Sequence, residues 1–197
     1  IRYPRPSYVL YPTLAAIQNA RCDEVDFQAD WTLSKEFTRP DPDLRLTFLA
    51  NPNSPSGTSL KPEDVAKLAN ALPCPLVVDE AYADFAATNC LGLVAENERV
   101  IVTRSLSKSY SLAGLRFGFA VAQPQVIEQL AKVKDSYNCD ALAIAGATSA
   151  IDDREWFQQT CDAVLATRAR LTERLQALDF TCVASEANFV WCRHQSL

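Results

Sequence analysis

The sequence is poor in several residues that common protein chemistries need. Its 197 residues include no methionine and a single histidine, His194. One histidine excludes a histidine-based metal cluster, and a Ser-His-Asp triad would have to use His194, so we predict no metal site. No apolar run is long enough to span a bilayer, and we expect no secretory signal, because no basic segment followed by an apolar one opens the chain. Since position 1 is not methionine, we expect a piece of a longer protein.

Positive charge and paired cysteines are also scarce. The net charge of −5 and the pI near 4.9 disfavour a nucleic-acid or anionic-membrane surface, so we expect neither as a partner. Seven cysteines are scattered along the chain, an odd number with no Cys-x-x-Cys spacing. This pattern favours reduced, mostly buried thiols in a cytoplasmic protein over a disulfide framework or a zinc site.

Short apolar runs alternate with helical patterns through most of the chain. The apolar content of 48% predicts a sizeable core. The pattern predicts α/β architecture, with a mostly parallel mixed sheet sandwiched by helices. The predicted strands span residues 22–27, 44–50, 76–78, 100–103 and 116–122. The predicted helices or helical turns span residues 8–20, 62–72, 91–98, 125–133 and 140–151. We predict a loop at residues 4–7, with Ser7 as a possible cap of the first helix.

The pattern changes near residue 154. A long amphipathic helix is predicted over residues 154–178, followed by two short strands at 180–184 and 188–192. We therefore predict two domains, with residues 1–155 in a large domain and residues 156–197 in part of a small α+β domain.

Polar loops follow three of the predicted strands, at residues 51–57, 79–82 and 105–116. Open α/β sheets bind ligands at the carboxyl ends of their strands. The hydroxyls of Ser105 and Ser107 and the guanidinium of Arg116 suit a phosphate group, and Lys108 beside them could form an imine with a carbonyl cofactor. The alternatives are a solvated surface loop around Lys108 and a helix-capping role for Asp79.

Residues 105–118 read Ser-Leu-Ser-Lys-Ser-Tyr-Ser-Leu-Ala-Gly-Leu-Arg-Phe-Gly, and residues 79–82 read Asp-Glu-Ala-Tyr. Together they resemble the fold-type-I aminotransferases that use pyridoxal 5′-phosphate, with the nearest likeness to the histidinol-phosphate aminotransferases. The resemblance extends from residue 6 to residue 190. It implies transfer of an amino group from a small-molecule donor to a 2-oxo acid, for example from histidinol phosphate to 2-oxoglutarate in histidine biosynthesis. It also implies a homodimer.

The resemblance implies a role for each matching residue. Lys108 would bind the cofactor covalently and carry protons as a general acid and base. Asp79 would pair with the pyridine nitrogen, and Tyr82 would hydrogen-bond the phenolic oxygen. The remaining cofactor contacts would be ring stacking by Tyr8 and phosphate binding by Ser105, Ser107 and Arg116.

One position departs from the family pattern. The usual Asn-Pro-Thr-Gly, whose Asn bonds the phenolic oxygen, is here Ser54-Pro55-Ser56-Gly57. Ser54 is shorter than Asn and offers a single donor. It could act through a water, Asn53 could replace it, or Tyr82 could serve alone.

Several other activities would keep the same residues. Within the fold they are an aromatic or broad-range aminotransferase, a threonine-phosphate decarboxylase and a C–S lyase. The non-enzymatic alternatives are the aminotransferase-like sensor half of a transcription regulator and an inactive remnant. The intact Asp79, Tyr82, Lys108 and Arg116 disfavour the remnant. In the family, the phosphate-binding loop, a tyrosine donated across the dimer and the substrate-binding arginine lie outside this chain. We therefore expect the isolated chain to be inactive, to bind the cofactor poorly and to expose apolar surface.

Overall fold

A computed structural model describes residues 1–196 and contains a six-stranded sheet in the order β2-β1-β3-β4-β5-β6. The first five strands are parallel, and β6 runs antiparallel to β5. This confirms the predicted mostly parallel mixed sheet. The strands are β1 (Arg2–Arg5), β2 (Asp23–Asp26), β3 (Thr47–Ala50), β4 (Leu76–Asp79), β5 (Val100–Ser105) and β6 (Gly118–Val121).

Six helices connect or follow these strands. They are α1 (Leu10–Ile17), α2 (Pro62–Ala71), α3 (Leu93–Glu96), α4 (Pro124–Val133), α5 (Ala141–Asp152) and α6 (Arg154–Gln176). Pro62 and Pro124 begin α2 and α4, where their missing N–H groups need no partner. Asp140 and Asp153 cap α5 and α6 by accepting the N–H of Ala143 and of Trp156. None of these helices is long and apolar enough to cross a membrane.

The main core lies between the central strands and the helices that cover them. Strand residues Leu49, Leu76, Val78, Val100 and Val102 are fully inaccessible to solvent. They pack with Val65, Leu68 and Leu72 of the α2 segment. Short, continuous apolar runs are typical of parallel strands that are covered on both faces.

The first strand was not predicted, because residues 4–7 had been interpreted as a loop. Arg5 instead ends β1, which pairs with β2 along its whole length despite Pro4. The buried Arg2 guanidinium donates to Asp23 Oδ2 at 2.7 Å and to the Phe37 carbonyl at 2.9 Å. Strand prediction depends on a pattern of apolar residues. A charged residue such as Arg2 interrupts that pattern even where it is buried with internal partners. The predicted cap was also wrong, since Ser7 donates to Asn53 and the helix is preceded by Val9 without a side-chain cap.

The end of the chain folds back toward the sheet. Strands β7 (Thr181–Cys182) and β8 (Cys192–Arg193) form a two-stranded antiparallel ribbon after α6. The turn between them is anchored by Glu186, whose N–H donates to the Gly57 carbonyl at 2.7 Å. Arg168 of α6 donates to the Ala187 carbonyl at 2.6 Å. These contacts bring residues 185–189 to the loops that follow the central strands.

Candidate active site

A cavity of about 300 Å³ opens at the carboxyl ends of three neighbouring parallel strands. Strand β3 ends at Ala50, β4 at Asp79 and β5 at Ser105, and all three residues line the cavity. The strand register aligns Ala50 with Asp79, and Asp79 with Thr103. The cavity is lined by all eight residues singled out in the sequence: Tyr8, Ser54, Asp79, Tyr82, Ser105, Ser107, Lys108 and Arg116.

Asp79 is a partly buried carboxylate with neutral partners. Its Oδ2 accepts the Tyr11 hydroxyl at 3.1 Å, and its Oδ1 accepts the Ala81 N–H at 3.2 Å. Burial raises the pKa of Asp79 above its usual value, and the hydrogen bonds from Tyr11, Ala81 and Thr103 offset only part of that rise. Within residues 1–196, Asp79 forms no salt bridge. A carboxylate in this state is stabilised by a positively charged hydrogen-bond donor.

Lys108 and Tyr82 come together on the same cavity. The Lys108 ammonium lies 5.4 Å from the centre of the Tyr82 ring, within the range of a cation–π contact. Phe189 also contacts Tyr82, and the two rings meet edge-on with their centroids 5.1 Å apart. Phe189 therefore fixes the orientation of Tyr82 from the C-terminal turn.

Ser105, Ser107 and Arg116 place two hydroxyls and a guanidinium on the cavity. Ser107 donates its backbone N–H to Ser105 Oγ at 3.1 Å, so the loop turns immediately after β5. Arg116 has a left-handed backbone, with φ of 54°, and its Nη1 donates to the Ala113 carbonyl at 2.9 Å. That bond leaves the other guanidinium donors of Arg116 without a protein partner among the described residues. Free donors in this arrangement suit a phosphate.

The alternatives for position 54 can now be compared. Asn53 is buried, and its amide is engaged by protein groups, donating to Ser56 Oγ at 2.9 Å and accepting from Ser7 Oγ at 3.0 Å. Asn53 does not line the cavity, whereas Ser54 does. The geometry therefore favours Ser54, alone or through a water, over Asn53.

A charged network lies beneath the Lys108 loop. Arg104 of β5 donates to Glu80 Oε2 at 2.8 Å and to Asp84 Oδ1 at 2.7 Å. The buried Ser109 hydroxyl donates to the same Asp84 carboxylate. Burial raises the pKa of Glu80, while the Cys90 N–H and Arg104 oppose that effect. The network ties the segment after β4 to the residue next to Lys108.

Sequence reasoning missed this network and two contacts of the cavity. The presence of Glu80 and Arg104 beside predicted buried strands was the available signal, because charges there are seldom left unpaired. Tyr11 was not singled out in the sequence, although only one helical turn separates it from Tyr8. Nothing in the sequence pattern predicts the approach of Phe189 to Tyr82, because the two residues are distant along the chain.

A second, larger cavity of about 520 Å³ lies between α6 and residues 188–190. It contains none of the sequence-predicted site residues, and its lining is mainly apolar, including Trp156, Val164 and Leu171. Charged donors do not converge there, so the smaller cavity is the candidate active site.

Comparisons with known proteins identify the family to which the chain is similar. The family model described as aminotransferase class I and II matches residues 1–196. The histidinol-phosphate aminotransferase of Rhodopirellula baltica is 56% identical over 194 residues, which cover 98% of this chain and 54% of the relative. The chain therefore spans about half the length of the curated relatives it matches.

Two solved structures share the fold. The histidinol-phosphate aminotransferase of Clostridium acetobutylicum gives a TM-score of 0.91 at 21% identity, over 100% of this chain and 62% of the other. The enzyme of the same name from Sinorhizobium meliloti, solved in complex with pyridoxal-5′-phosphate, gives a TM-score of 0.85 at 25% identity, over 96% of this chain and 54% of the other.

Proposed function

Because this chain belongs to the class I and II aminotransferase family, we propose that the whole protein is a pyridoxal-phosphate-dependent histidinol-phosphate aminotransferase. The amino acceptor would be a 2-oxo acid such as 2-oxoglutarate, and the protein would act in histidine biosynthesis. The observation that carries the proposal is the convergence of eight predicted residues on one cavity, with Asp79 and Lys108 among them. The 56% identity to a relative of that name supports the substrate.

The residues present fit pyridoxal phosphate. Asp79 is a partly buried carboxylate whose partners among the described residues are neutral, and a protonated pyridine nitrogen would supply a cationic donor to it. Ser105, Ser107 and Arg116 offer hydroxyl and guanidinium donors for the phosphate, and Tyr8 offers an aromatic face. When bound, pyridoxal phosphate supplies an aldehyde that reacts with amines and a ring that accepts the electron pair released at the substrate Cα.

The chain's own residues would divide the work by position. Asp79 would keep a proton on the ring nitrogen, because an ionised carboxylate stabilises a cationic donor beside it. Lys108 Nζ would supply the primary amine that binds the aldehyde, and would then move the proton from the substrate Cα. Tyr82 would donate its hydroxyl to the phenolic oxygen, and Ser54 lines the same cavity.

The finer features follow the same proposal. We place the division between the large and the small domain at residues 155 and 156, and we assign the protein to the cytoplasm as a homodimer. Apolar residues exposed on α1, such as Leu10 and Ile17, support the presence of a further contact surface.

The test is an assay of the full-length protein with histidinol phosphate and 2-oxoglutarate. We expect turnover by the wild type and a loss of at least about 10²–10⁴-fold in kcat for Lys108→Ala, because that amine both binds and carries protons. Lys132→Ala is the matched control, since Lys132 lies on exposed α4 and, among the described residues, its ammonium bonds to Gln129 alone. Turnover of another amino donor instead of histidinol phosphate would contradict the substrate, and an active Lys108→Ala would contradict the mechanism.

A further inference from the structure

Two of the cysteines face each other across the β7–β8 ribbon. The strand register places Cys182 directly opposite Cys192. The Val183 N–H donates to the Trp191 carbonyl at 2.9 Å, so residues 183 and 191 form a hydrogen-bonded pair. Along an antiparallel ladder, hydrogen-bonded and non-hydrogen-bonded pairs alternate. The adjacent pair, Cys182 and Cys192, is therefore of the non-hydrogen-bonded kind.

This kind of pair has the spacing that a disulfide needs. In non-hydrogen-bonded pairs the Cα atoms lie about 4.5 Å apart and the side chains are at their closest. Disulfides form across Cα separations of about 4.4–6.8 Å. The strand register therefore supplies the geometry that the spacing of the cysteines along the sequence does not show.

The two thiols are also accessible. Cys182 and Cys192 are only partly buried, whereas Cys74, Cys90 and Cys161 are buried. Partial burial, and then the neighbouring Cys192 thiol, raise the pKa of Cys182. The influence of one thiol on the other is further support for their close approach.

We propose that Cys182 and Cys192 are an oxidative modification site, at which a peroxide converts the two thiols into a reversible cross-strand disulfide. One thiolate attacks a peroxide oxygen, the O–O bond breaks, and the sulfur becomes a sulfenic acid as one water forms. The second thiolate then attacks that sulfur, the S–O bond breaks, and a second water leaves. Two thiols and one hydrogen peroxide thus give one disulfide and two waters, and a dithiol reductant reverses the change.

The disulfide would act on the turn that reaches the candidate active site. Residues 183–191 carry Glu186, which bonds to Gly57, and Phe189, which packs on Tyr82. A covalent link at the base of the turn restricts the open conformations of these residues. Oxidation would therefore hold Phe189 against Tyr82 more firmly. This inference does not depend on the proposed function, and its test needs neither cofactor nor substrate.

The test maps thiols after oxidation of the folded full chain. The protein is treated with excess hydrogen peroxide, denatured, alkylated with N-ethylmaleimide and digested with trypsin. Because trypsin cleaves after Arg174 and Arg193, both cysteines fall in one peptide, residues 175–193. We expect this peptide to be two hydrogens lighter and unlabelled, and to accept two labels after reduction. Further cleavage of the oxidised peptide after Glu186 should leave the two halves joined by the disulfide.

Controls come from the same digest. Cys22 and Cys139 are partly buried as well, and each should still accept a label when the pair no longer does. The variant Cys192→Ser should yield no disulfide in this peptide. Two labels on residues 175–193, sulfinic acid in place of a disulfide, or a bridge to another cysteine would each overturn the inference.

A second measurement tests the effect on the turn. In the folded protein, cleavage after Glu186 by a glutamate-specific protease should slow by about tenfold after oxidation, because the bridge restricts local opening. Peroxide should not change that rate in Cys192→Ser. An equal rate for oxidised and reduced wild type would show that the disulfide does not hold the turn.

Discussion

The sequence predicts both the central strands and the later helices, but the two regions differ in how much of their apolar surface is buried. Leu49, Leu76 and Val78 in β3 and β4 have no exposed surface. Helix α4 has one apolar face but no buried residue, and its Leu130 and Val133 are 43% and 82% exposed. Periodicity therefore identifies an apolar face, but it does not determine whether anything covers that face.

The candidate active site is built on the covered region. Asp79 ends a strand whose preceding residues are all buried, and Ser105 ends a strand in which Val100 and Val102 are buried. Polar side chains at such positions have few alternative orientations, which is a requirement for catalytic groups. The exposed faces of α4 and α5 agree with the expected exposure of apolar surface and are available for further contacts.

The largest loss of stability is expected when a charge is removed from the covered region. Replacing Arg104 with Ala would leave the fully buried Glu80, and also Asp84, without their guanidinium partner. We expect a loss of about 3–5 kcal/mol in the free energy of unfolding, measured with urea.

The exposed ion pair between Lys67 and Asp64 is the matched control for that variant. Lys67→Ala should not measurably shift the unfolding midpoint, because exposed ion pairs contribute little. Similar losses for Arg104→Ala and Lys67→Ala would remove the distinction between the two environments.

The same side chain can be deleted in both regions. Leu76→Ala removes a fully buried side chain, and we expect a loss of about 2–5 kcal/mol. Leu130→Ala on α4 should change stability by about 0.5 kcal/mol or less, because much of Leu130 is already in water. Urea unfolding measures both changes. Equal effects would mean that α4 is covered in solution.

The Asp79 carboxylate should lower the free energy of unfolding of the chain near neutral pH. Burial raises the pKa of Asp79, so the folded chain binds a proton at pH values at which the unfolded chain has lost it. Stability from this group is therefore present at acid pH and is lost as the pH rises through the folded pKa. Asp79→Asn should melt at a higher temperature than wild type at neutral pH, and this difference should shrink in acid. A lower melting temperature at neutral pH would contradict the burial effect.

A small effect on the site itself is expected from Tyr11→Phe. The ring would keep its stacking on Phe48, but Asp79 would lose one hydrogen bond. We expect a loss of about 0.5–1.5 kcal/mol, measured with urea. Because that hydrogen bond lowers the pKa of Asp79, the pKa should rise further in the variant. An unchanged pH dependence of stability would show that Tyr11 does not tune the carboxylate.

Much of the fold was predictable because its strands are uniform. The runs at residues 76–78 and 100–103 are apolar and β-branched, and both became buried parallel strands. Strand β1 was missed because Arg2 carries its charge into the core, where three acceptors from two distant segments receive it. A pattern of apolar residues contains no information about such partners.

The candidate site was predictable to the extent that it lies on short motifs. Lys108 and Asp79 stand in two such motifs, and both line the same cavity. The pairing of Cys182 with Cys192 was not predictable, because it depends on strand register. The seven cysteines were expected to be scattered, reduced thiols, and spacing alone could not reveal that two of them are neighbours in space.

Because Gly57 has no side chain, its loop can approach the C-terminal turn closely. Its φ of 77° is left-handed, and a Cβ at this position would lie only 2.2 Å from Ser185 Oγ. The turn at residues 185–187 can therefore rest directly on the backbone of the loop that carries Ser54. Any larger residue would wedge the turn away from that loop and withdraw Phe189 from Tyr82. The packing of Phe189 against Tyr82 therefore depends on the contact between Gly57 and the turn at residues 185–187, which lies more than a hundred residues further along the chain.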